Sequence, residues 1–417
     1  MQARDAGPPP PGRAPAPDGP PVADRPIHRD RSARRHRRPR RSQTLPTAAG
    51  TLDWFAVTAP GAEALAAREV SHLPDIQDVR AVAGGVSFRG DLTTGFRANL
   101  WLRLPTRILL RLGRFRARDF ESLRCEAALL PWSELVPRGT PAHFQISQRG
   151  SRLYHTGAIA ERLEALWSDL IGPRVEPSSP PQRVLVRGVR DVWTVSLDAS
   201  GERLHRRGWR PETGPASLRE TLAAQILALC EWSGDRPLVD ALCGVGTFAI
   251  EGATLALGRA PGAARPFACE LWQGAPLEEW ARLRARALAP EPPASLPLIV
   301  GIDRDARAVA SARRNAERAG CDRCIRFESG PLAALEPPPG PGLVLLNPPY
   351  GRRLGRPREL AAQYAELGRT LRTRYRGWRA GVLTPGEKLE AALGLRVRTR
   401  HPLRNGGLAI RLSVCDL

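Results

Sequence analysis

The stretch of sequence that decides the fold is Leu238-Val239-Asp240-Ala241-Leu242-Cys243-Gly244-Val245-Gly246-Thr247. It begins with a short apolar run typical of a buried strand, and the apolar pattern that follows predicts a helix from Phe248 to Leu257. Gly244 and Gly246 allow the backbone between them to approach a ligand closely, and the helix N-terminus offers free N–H groups. We therefore predict the first unit of a parallel α/β sheet, with a ligand site at the turn.

Two further strands extend this sheet along the chain. The run Leu298–Asp303 predicts a strand, and a helix is expected from Ala306 to Gly320. A second apolar run, Leu343–Leu346, stops at a double proline, as a buried strand does when it ends at a site. Strands that alternate with helices imply a doubly wound, Rossmann-like sheet.

Acidic residues at two of the predicted strand ends indicate the kind of ligand. The glycine spacing differs from the dinucleotide pattern G-x-G-x-x-G, and Asp240 before the glycines suits an ammonium group rather than a pyrophosphate. Asp303 ends the next strand, where a carboxylate can bind both hydroxyls of a ribose. A ligand with an amino-acid end and a nucleoside end fits both, so we predict an S-adenosylmethionine site formed by Asp240, Cys243, Gly244, Gly246, Thr247 and Asp303.

The segment Asn347-Pro348-Pro349-Tyr350 follows the last predicted strand and is the candidate catalytic site. Each proline fixes its own φ and restricts the residue before it, so Asn347 and Pro348 are held stiffly. The Asn347 side-chain oxygen and the Pro348 carbonyl can each accept a hydrogen bond from one NH2 group, and Tyr350 can stack on a ring. Alone, the segment also fits a strand-to-turn junction capped by Asn. Placed after the predicted cofactor turn, it is expected to hold an amine acceptor beside the cofactor, with Asn347 bordering both.

Charge and cysteine content limit the class of protein. The net charge of +21 favours a polyanionic partner, most simply nucleic acid, although a merely basic soluble protein is the alternative. No apolar run is long enough for a membrane span. The seven scattered cysteines predict reduced thiols and a cytoplasmic protein. Cys321 and Cys324 have no second pair, so no metal is expected.

The sequence before residue 204 predicts three regions. Residues 1–48 are rich in Pro and Arg and predict a disordered tail, which is either a loose RNA-binding arm or a dispensable extension. Residues 50–114 show the order β-α-β-β-α-β of a ferredoxin-like unit. Residues 115–200 predict a second small α+β unit. Within it, Arg149, Arg152 and Tyr154 precede a helix and suit a phosphate or RNA contact; a solvated loop with Tyr154 in the core is the alternative.

Beyond residue 50 the chain resembles the THUMP-domain RNA methyltransferases of class I, in particular the bacterial group that makes N2-methylguanosine in 23S ribosomal RNA. The resemblance spans roughly residues 50–417. The matching segments are Gly84–Leu92, Ser151–Gly157, Leu204–Arg210, Leu218–Ala224, Asp240–Thr247 and Asn347–Gly351.

This resemblance implies a THUMP RNA-binding domain over residues 115–200 and a Rossmann-like methyltransferase domain over residues 204–417. It also implies that the segment containing Glu220 borders the cofactor. One departure concerns the stretch Phe327-Glu328-Ser329-Gly330-Pro331, which lies between the predicted strands Leu298–Asp303 and Leu343–Leu346. It lacks the Asp that such enzymes place near the adenine, after their third strand. The second methyltransferase domain of some larger relatives is not expected here.

The expected activity is direct transfer of a methyl group from S-adenosylmethionine to the N2 amine of a guanosine in 23S rRNA. Transfer-RNA guanosine is an alternative acceptor, because a THUMP domain also serves tRNA binding. The segment Asn347–Tyr350 also serves adenine-N6, cytosine-N4 and glutamine-amide methyltransferases. A non-catalytic RNA-binding or ribosome-assembly protein with a methyltransferase fold is a further alternative, motivated by the missing Asp.

Overall fold

The structure is a computed structural model that describes residues 50–173, 180–210, 218–291, 293–348 and 357–417. The predicted tail, residues 1–48, lies outside these residues, and so do Pro349 and Tyr350. Among the described helices, none combines the length and apolar character needed to cross a membrane.

The first six elements form a ferredoxin-like unit, as predicted. Its strands pair antiparallel in the order β2-β3-β1-β4, which is the arrangement that the β-α-β-β-α-β pattern implies. Asp91 caps the second helix by accepting a hydrogen bond from the backbone N–H of Thr94. The elements are β1 (Leu52–Val57), α1 (Glu63–Ser71), β2 (Gln77–Val82), β3 (Gly85–Gly90), α2 (Leu92–Trp101) and β4 (Arg107–Arg116).

The second unit continues the same sheet rather than forming a separate one. Strand β7 pairs antiparallel with β4, which gives a seven-stranded sheet in the order β2-β3-β1-β4-β7-β6-β5. Two units were expected from the sequence, but the edge of β4 offers unpaired backbone groups that β7 satisfies. The elements are α3 (Phe120–Ala128), α4 (Trp132–Leu135), β5 (Ala142–Arg149), α5 (Thr156–Ile171), β6 (Gln182–Val189) and β7 (Val192–Asp198).

The C-terminal half contains the Rossmann-like sheet, in the order β10-β9-β8-β11-β12-β14-β13. Strands β8 to β12 are parallel, and β14 runs antiparallel to both its neighbours. The elements after β11 were not predicted. The elements are α6 (Glu220–Leu229), β8 (Leu238–Ala241), α7 (Thr247–Ala256), α8 (Leu277–Leu288), β9 (Ile299–Asp303), α9 (Ala306–Arg318), β10 (Ile325–Ser329), β11 (Leu343–Leu346), α10 (Pro357–Arg374), β12 (Arg379–Thr384), α11 (Glu387–Leu393), β13 (Val397–Asn405) and β14 (Leu408–Asp416).

The segment between α7 and β9 packs into the core of the N-terminal sheet. The Trp280 ring stacks on Phe96 with centroids 4.4 Å apart, and Trp272 stacks on Trp54 at 6.3 Å. The backbone N–H of Gly262 also donates to the carbonyl of Leu100 at 2.9 Å. Buried aromatic rings remove large apolar areas from water, so this segment contributes substantially to the joint between the two halves.

A buried cluster of charges makes a second joint. Glu251 on α7 accepts hydrogen bonds from Arg207 at 3.3 Å and from Arg103, which precedes β4, at 3.4 Å. Arg103 also donates to the carbonyls of Thr254 and Arg259. Removing one partner would leave an uncompensated buried charge, which typically costs about 3–5 kcal/mol. The cluster therefore ties β4 firmly to the helix that follows the glycine-rich turn.

Candidate active site

Three of the predicted site residues, Asp240, Asp303 and Asn347, lie at the carboxyl edge of the parallel sheet. Strand β8 lies between β9 and β11, and Ala241 at its end is level with Ile302 and Leu346. Asp240 precedes Ala241, and Asp303 and Asn347 directly follow the other two residues. Ligands of open α/β sheets bind in the crevice at this edge.

Asp240 is a buried carboxylate at this edge. Its side chain is 2% exposed, and Oδ2 accepts a hydrogen bond from the backbone N–H of Ala249 at 3.1 Å. Burial raises the pKa of Asp240 to about 7; the hydrogen bond from Ala249 opposes this rise, and the nearby Asp303 adds to it. A cation placed against Asp240 would stabilise its ionised form.

The glycine-rich turn requires glycine at position 246. Gly246 has φ of 85°, which is disfavoured for residues with a side chain. A Cβ atom there would lie 3.0 Å from the Ala312 methyl group and 3.2 Å from the Phe327 ring. The turn can therefore come this close to α9 and β10 only because residue 246 has no side chain.

Asp303 is fixed in orientation by two backbone donors. The N–H of Gly244 donates to Oδ2 at 2.8 Å, and the N–H of Asp305 donates to Oδ1 at 3.0 Å. Each carboxylate oxygen can accept a further hydrogen bond, so Asp303 retains the capacity to bind two ribose hydroxyls. The hydrogen bond from Gly244 thus joins the glycine-rich turn to Asp303, the residue predicted to bind the ribose.

Strand β10 does not supply a carboxylate in place of the Asp that the family resemblance implies near the adenine. Glu328 forms an ion pair with Arg326 at 2.7 Å, two residues earlier on the same face of β10. Ser329 is level with Asp303 in the sheet, and the N–H of Gly330 donates to the Asp303 carbonyl at 2.9 Å. Small residues and backbone groups therefore occupy the position at which the resemblance implies a carboxylate.

Glu220 contributes a buried carboxylate oxygen with spare hydrogen-bonding capacity. The side chain is 3% exposed, and its Oε1 pairs with Arg210 at 3.3 Å. Its Oε2 has no hydrogen-bond partner within the described part of the chain. Burial raises the pKa of Glu220 to about 7, and Arg210 opposes that rise. A buried acceptor without a donor is costly, so a ligand that donates here, such as an amino-acid ammonium, fits the site.

Thr247 and Cys243 have structural contacts of their own. The Thr247 hydroxyl accepts a hydrogen bond from Arg210 at 3.3 Å, at the first residue of α7. The N–H of Cys243 donates to the carbonyl of Ile302 at 2.9 Å, which ties the turn to β9. Burial raises the pKa of the Cys243 thiol, so this residue serves as packing rather than as a nucleophile.

Asn347 has a side-chain oxygen placed to accept a hydrogen bond from a ligand. Its Oδ1 is buried and has no hydrogen-bond partner among the residues that the structure describes. Pro348 beside it is buried as well. Buried polar atoms are normally paired, so an oxygen left open at the end of a central strand marks a position where a donor is to be received. The stacking role of Tyr350 and the role of Pro349 remain predictions.

The three predicted RNA contacts lie on the surface of the N-terminal sheet. Arg149 is the last residue of β5, and Arg152 and Tyr154 lie in the loop before α5; both arginines are exposed. Tyr154 is 62% exposed, whereas Leu153 next to it is 7% exposed and fills the core. The alternative of a core Tyr154 is therefore wrong, and the exposed ring remains available for contact.

Sequence reasoning missed two residues that shape the site. Arg210 touches both Glu220 and Thr247 and also donates to the Leu218 carbonyl at 2.7 Å. Asn315 is fully buried on α9 and donates to the carbonyl of Val245 in the turn at 3.2 Å. A polar residue among the apolar positions of an amphipathic helix was the available signal for Asn315. The available signal for Arg210 was its place in Leu204–Arg210, one of the segments that carry the family resemblance.

Comparison with known proteins places the chain in a family. Residues 207–413 match the model of the RMKL-like methyltransferase domain, and residues 53–109 match the RlmL ferredoxin-like domain. The protein slr0064 of Synechocystis sp., which bears an RNA methyltransferase designation, is 32% identical over 376 residues, covering 88% of this chain and 98% of that protein. The chain belongs to the RMKL-like RNA methyltransferase family. The ribosomal RNA large subunit methyltransferase K/L of Methylococcus capsulatus is 38% identical over 380 residues, with 88% of this chain and 51% of that protein covered. The chain thus spans about half the length of the K/L relatives that it matches.

Solved structures confirm the fold class. SMU.472, a methyltransferase by its designation, was crystallised with SAH; it is 29% identical, with a TM-score of 0.78 over 88% of this chain and 98% of that one. A Listeria monocytogenes protein designated an N6-adenine-specific DNA methylase is 30% identical, with a TM-score of 0.79 over 88% and 96%. TrmN from Thermus thermophilus, at 22% identity and a TM-score of 0.66 over 88% and 99%, shares the fold. The SAH complex agrees with the predicted cofactor.

Among the described residues, no cluster of three or more His, Cys, Asp or Glu side chains could hold a metal ion.

Proposed function

We propose that the protein is an S-adenosylmethionine-dependent RNA methyltransferase of the cytoplasm that forms N2-methylguanosine in large-subunit ribosomal RNA. The observation that carries the proposal is the buried Oδ1 of Asn347 at the carboxyl edge of the sheet, which has no hydrogen-bond partner among the described residues. Support for the substrate comes from the K/L relatives, whose names assign them to the RNA of the large ribosomal subunit.

The residues at the sheet edge fit S-adenosylmethionine. Asp240 and Glu220 are buried carboxylates suited to the ammonium end, and Asp303 is oriented for the ribose hydroxyls. Because Gly246 has no side chain, the backbone of the glycine-rich turn can approach the ligand closely. When bound, the cofactor supplies an electrophilic methyl group.

The chain's own residues position the acceptor amine. The lone pair of an exocyclic amine is delocalised into its ring, which makes the amine a poor nucleophile. Accepting one N–H on Asn347 Oδ1 and the other on the Pro348 carbonyl would fix the plane of the amine and direct its lone pair. Orientation of this kind supplies several kcal/mol in well-aligned reactions. No strong general base is required, because the proton becomes acidic only after transfer.

The test replaces Asn347 and measures binding and transfer separately. Asn347→Ala is expected to abolish methylation of 23S rRNA while retaining cofactor affinity, because Asn347 holds the amine whereas Asp240 and Asp303 hold the cofactor. Radiolabelled methyl transfer and isothermal titration with S-adenosylmethionine give the two readouts. Turnover that survives in the variant would refute the role of Asn347. Absence of any cofactor heat in the unmodified protein would favour the non-catalytic RNA-binding alternative.

A second acceptor has an observation in its favour. The Listeria protein of the same fold and 30% identity carries an adenine-N6 designation, and Asn347 can hold any exocyclic NH2 group. Mass spectrometry of nucleosides after reaction separates the acceptors. N2-methylguanosine in 23S rRNA supports the proposal, and the same product confined to tRNA supports the transfer-RNA alternative. N6-methyladenosine would show that the acceptor is adenine and not guanine.

A further inference from the structure

The N-terminal sheet has one face that its helices do not cover. Side chains such as Trp54, Phe88, Leu110 and Val186 point to the core that the sheet shares with its helices. Residues of alternate positions line an open concavity of about 1310 Å³ on the opposite side. This concavity runs across β2, β3, β1, β4, β7, β6 and β5, so it spans both N-terminal units.

The open face carries a large surplus of positive charge. We call it the arginine face, after the charged residues that line it: Arg80, Arg89, Arg111, Arg114, Arg116, Arg187 and Arg190, together with Asp53 and Asp78. Arg89 pairs with Asp53 at 3.3 Å and with Asp78 at 3.5 Å, and Asp78 also pairs with Arg80 at 4.0 Å. The five remaining arginines form no ion pair within the described chain.

The sheet register arranges these arginines in rows. Arg114 on β4 is level with Thr194 on β7, which is level with Arg187 on β6. Two strand spacings, roughly 10 Å, therefore separate these two guanidinium-bearing residues across the sheet. In the next row, Arg116 on β4 is level with Val192 on β7, Val192 with Val189 on β6, and Val189 with Arg149 on β5. Arg149 is one of the arginines predicted from the sequence to contact RNA.

The arginines are close enough to repel one another. Arg111 lies over the Phe55 ring at 4.2 Å from its centroid. Burial lowers the pKa of Arg111; Asp53 opposes this, and the charges of Arg114 and Arg187 lower it further. A polyanion that neutralised the cluster would relieve this repulsion.

We propose that the arginine face docks the phosphate backbone of a double-stranded RNA segment; this inference rests on the proposed RNA-methylating function. Arginine is suited to bidentate phosphate contacts, and duplex RNA is recognised mostly through its backbone and shape.

The absence of exposed rings on the arginine face favours a duplex over a single strand. Single-stranded nucleic acid is held by aromatic side chains on which its bases stack. The aromatic residues that border the concavity are Trp54, Phe55 and Phe88, which are 1%, 7% and 1% exposed. The rings of Trp54 and Phe88 lie on the core side, and Arg111 lies over the ring of Phe55. The exposed ring of Tyr154 does not line it. Contacts of this face are therefore made by guanidinium groups, which read charge and spacing rather than bases.

The docked duplex would be held at a fixed position relative to the catalytic edge. Arg103 lies four residues before β4 and binds Glu251 on α7. Helix α7 begins at the glycine-rich turn of the cofactor site. A rigid connection of this kind lets a sequence-independent contact present one nucleotide, with its exocyclic amine, to Asn347.

The test compares two triple variants of the full chain. Arg114→Gln/Arg116→Gln/Arg187→Gln removes three charges from the arginine face. Arg68→Gln/Arg124→Gln/Arg138→Gln removes three charges from exposed arginines of α1, α3 and the loop before β5. Both are titrated with a duplex RNA and with a single strand of the same composition at several salt concentrations. Thermal midpoint and S-adenosylmethionine affinity verify that each variant is folded.

The face variant is expected to lose affinity for duplex RNA on the order of a hundredfold at 0.1 M salt, and its logarithmic salt slope should fall by about 2–3. The control variant should lose clearly less. Equal losses in the two variants, or an unchanged salt slope in the face variant, would overturn the inference. Loss of single-strand binding without loss of duplex binding would overturn the choice of a duplex.

The same experiment keeps the two proposals apart. If the unmodified protein methylates 23S rRNA and the face variant binds duplex RNA with the same affinity, the inference that the arginine face docks RNA is wrong, while the proposed function stands. If the unmodified protein methylates no RNA but the face variant still loses duplex affinity selectively, the docking surface stands and the proposed function fails.

Discussion

Replacing Asp240 by Asn should make the free protein more stable and its cofactor binding weaker. The carboxylate is 2% exposed, and burial raises its pKa from 3.8 to about 7. Because the folded-state pKa lies above the unfolded one, the folded protein binds more protons between these values, and stability falls as pH rises from about 4 to about 7. The ionised carboxylate is thus maintained at a cost in stability that a bound ammonium would offset.

The size of this effect follows from the two pKa values. One pH unit corresponds to about 1.4 kcal/mol, so the full cost above pH 7 is at most about 4 kcal/mol. Asn is close in shape and can keep the hydrogen bond from Ala249 through its amide oxygen. The stability of Asp240→Asn relative to the unmodified protein should therefore rise by roughly 2–3 kcal/mol between pH 5 and pH 8. Loss of a charge-assisted contact to an ammonium costs about 1.5–3 kcal/mol, or roughly ten- to a hundredfold in cofactor affinity.

Urea denaturation at pH 5 and pH 8 measures the first quantity, and isothermal titration with S-adenosylmethionine at pH 8 measures the second. Asp322→Asn removes an exposed carboxylate of the same domain and serves as the control, with both quantities expected to stay unchanged. If the stability difference between Asp240→Asn and the unmodified protein is the same at both pH values, Asp240 does not ionise near pH 7. An unchanged cofactor affinity would show that Asp240 does not face the ammonium.

Three further outcomes test the packing around the site. Gly246→Ala should destabilise the protein and weaken cofactor binding more than Gly258→Ala does, because both have positive φ but only the former meets neighbours within 4 Å; paired urea titrations give the difference. Trp280→Ala should lower the free energy of unfolding by about 3–5 kcal/mol, whereas Leu277→Ala on the same helix, 53% exposed, should change it by less than about 0.5 kcal/mol. Iodoacetamide should label Cys125, the one exposed cysteine of the seven, ahead of the buried thiols, as peptide mass spectrometry of the native protein would reveal.

The sequence predicted much of the fold because local patterns were consistent with the tertiary arrangement. The apolar runs at β8, β9 and β11 are short and end at Gly, Asp or Pro, so their strand character and order were visible. The elements after β11 were missed because no motif anchored them. The join between β4 and β7 was missed for another reason: strand pairing between units depends on backbone groups, which every residue carries.

The candidate site likewise contains residues that the sequence predicted and residues that it did not. Asp240, Asp303 and Asn347 were predictable because each stands at a strand end with a type suited to a ligand. The role of Arg210 was not, since its place in the matching segment Leu204–Arg210 does not reveal which side chains it contacts in the fold. The segment around Trp272 and Trp280 was assigned to the C-terminal half by position, yet its rings complete the N-terminal core, because burial is decided by contacts between segments distant in sequence.

By itself, the sequence determined the alternation of strand and helix, the glycine-rich turn, the acidic strand ends and the excess of positive charge. These follow from residue type and spacing, which act over a few residues. Only the tertiary structure decided that two N-terminal units share one sheet, that their arginines collect on its uncovered face, and that Asn347 Oδ1 is buried without a partner among the described residues. Those features depend on which surfaces meet and on which polar atoms water can no longer reach, and neither is written in any local stretch of the chain.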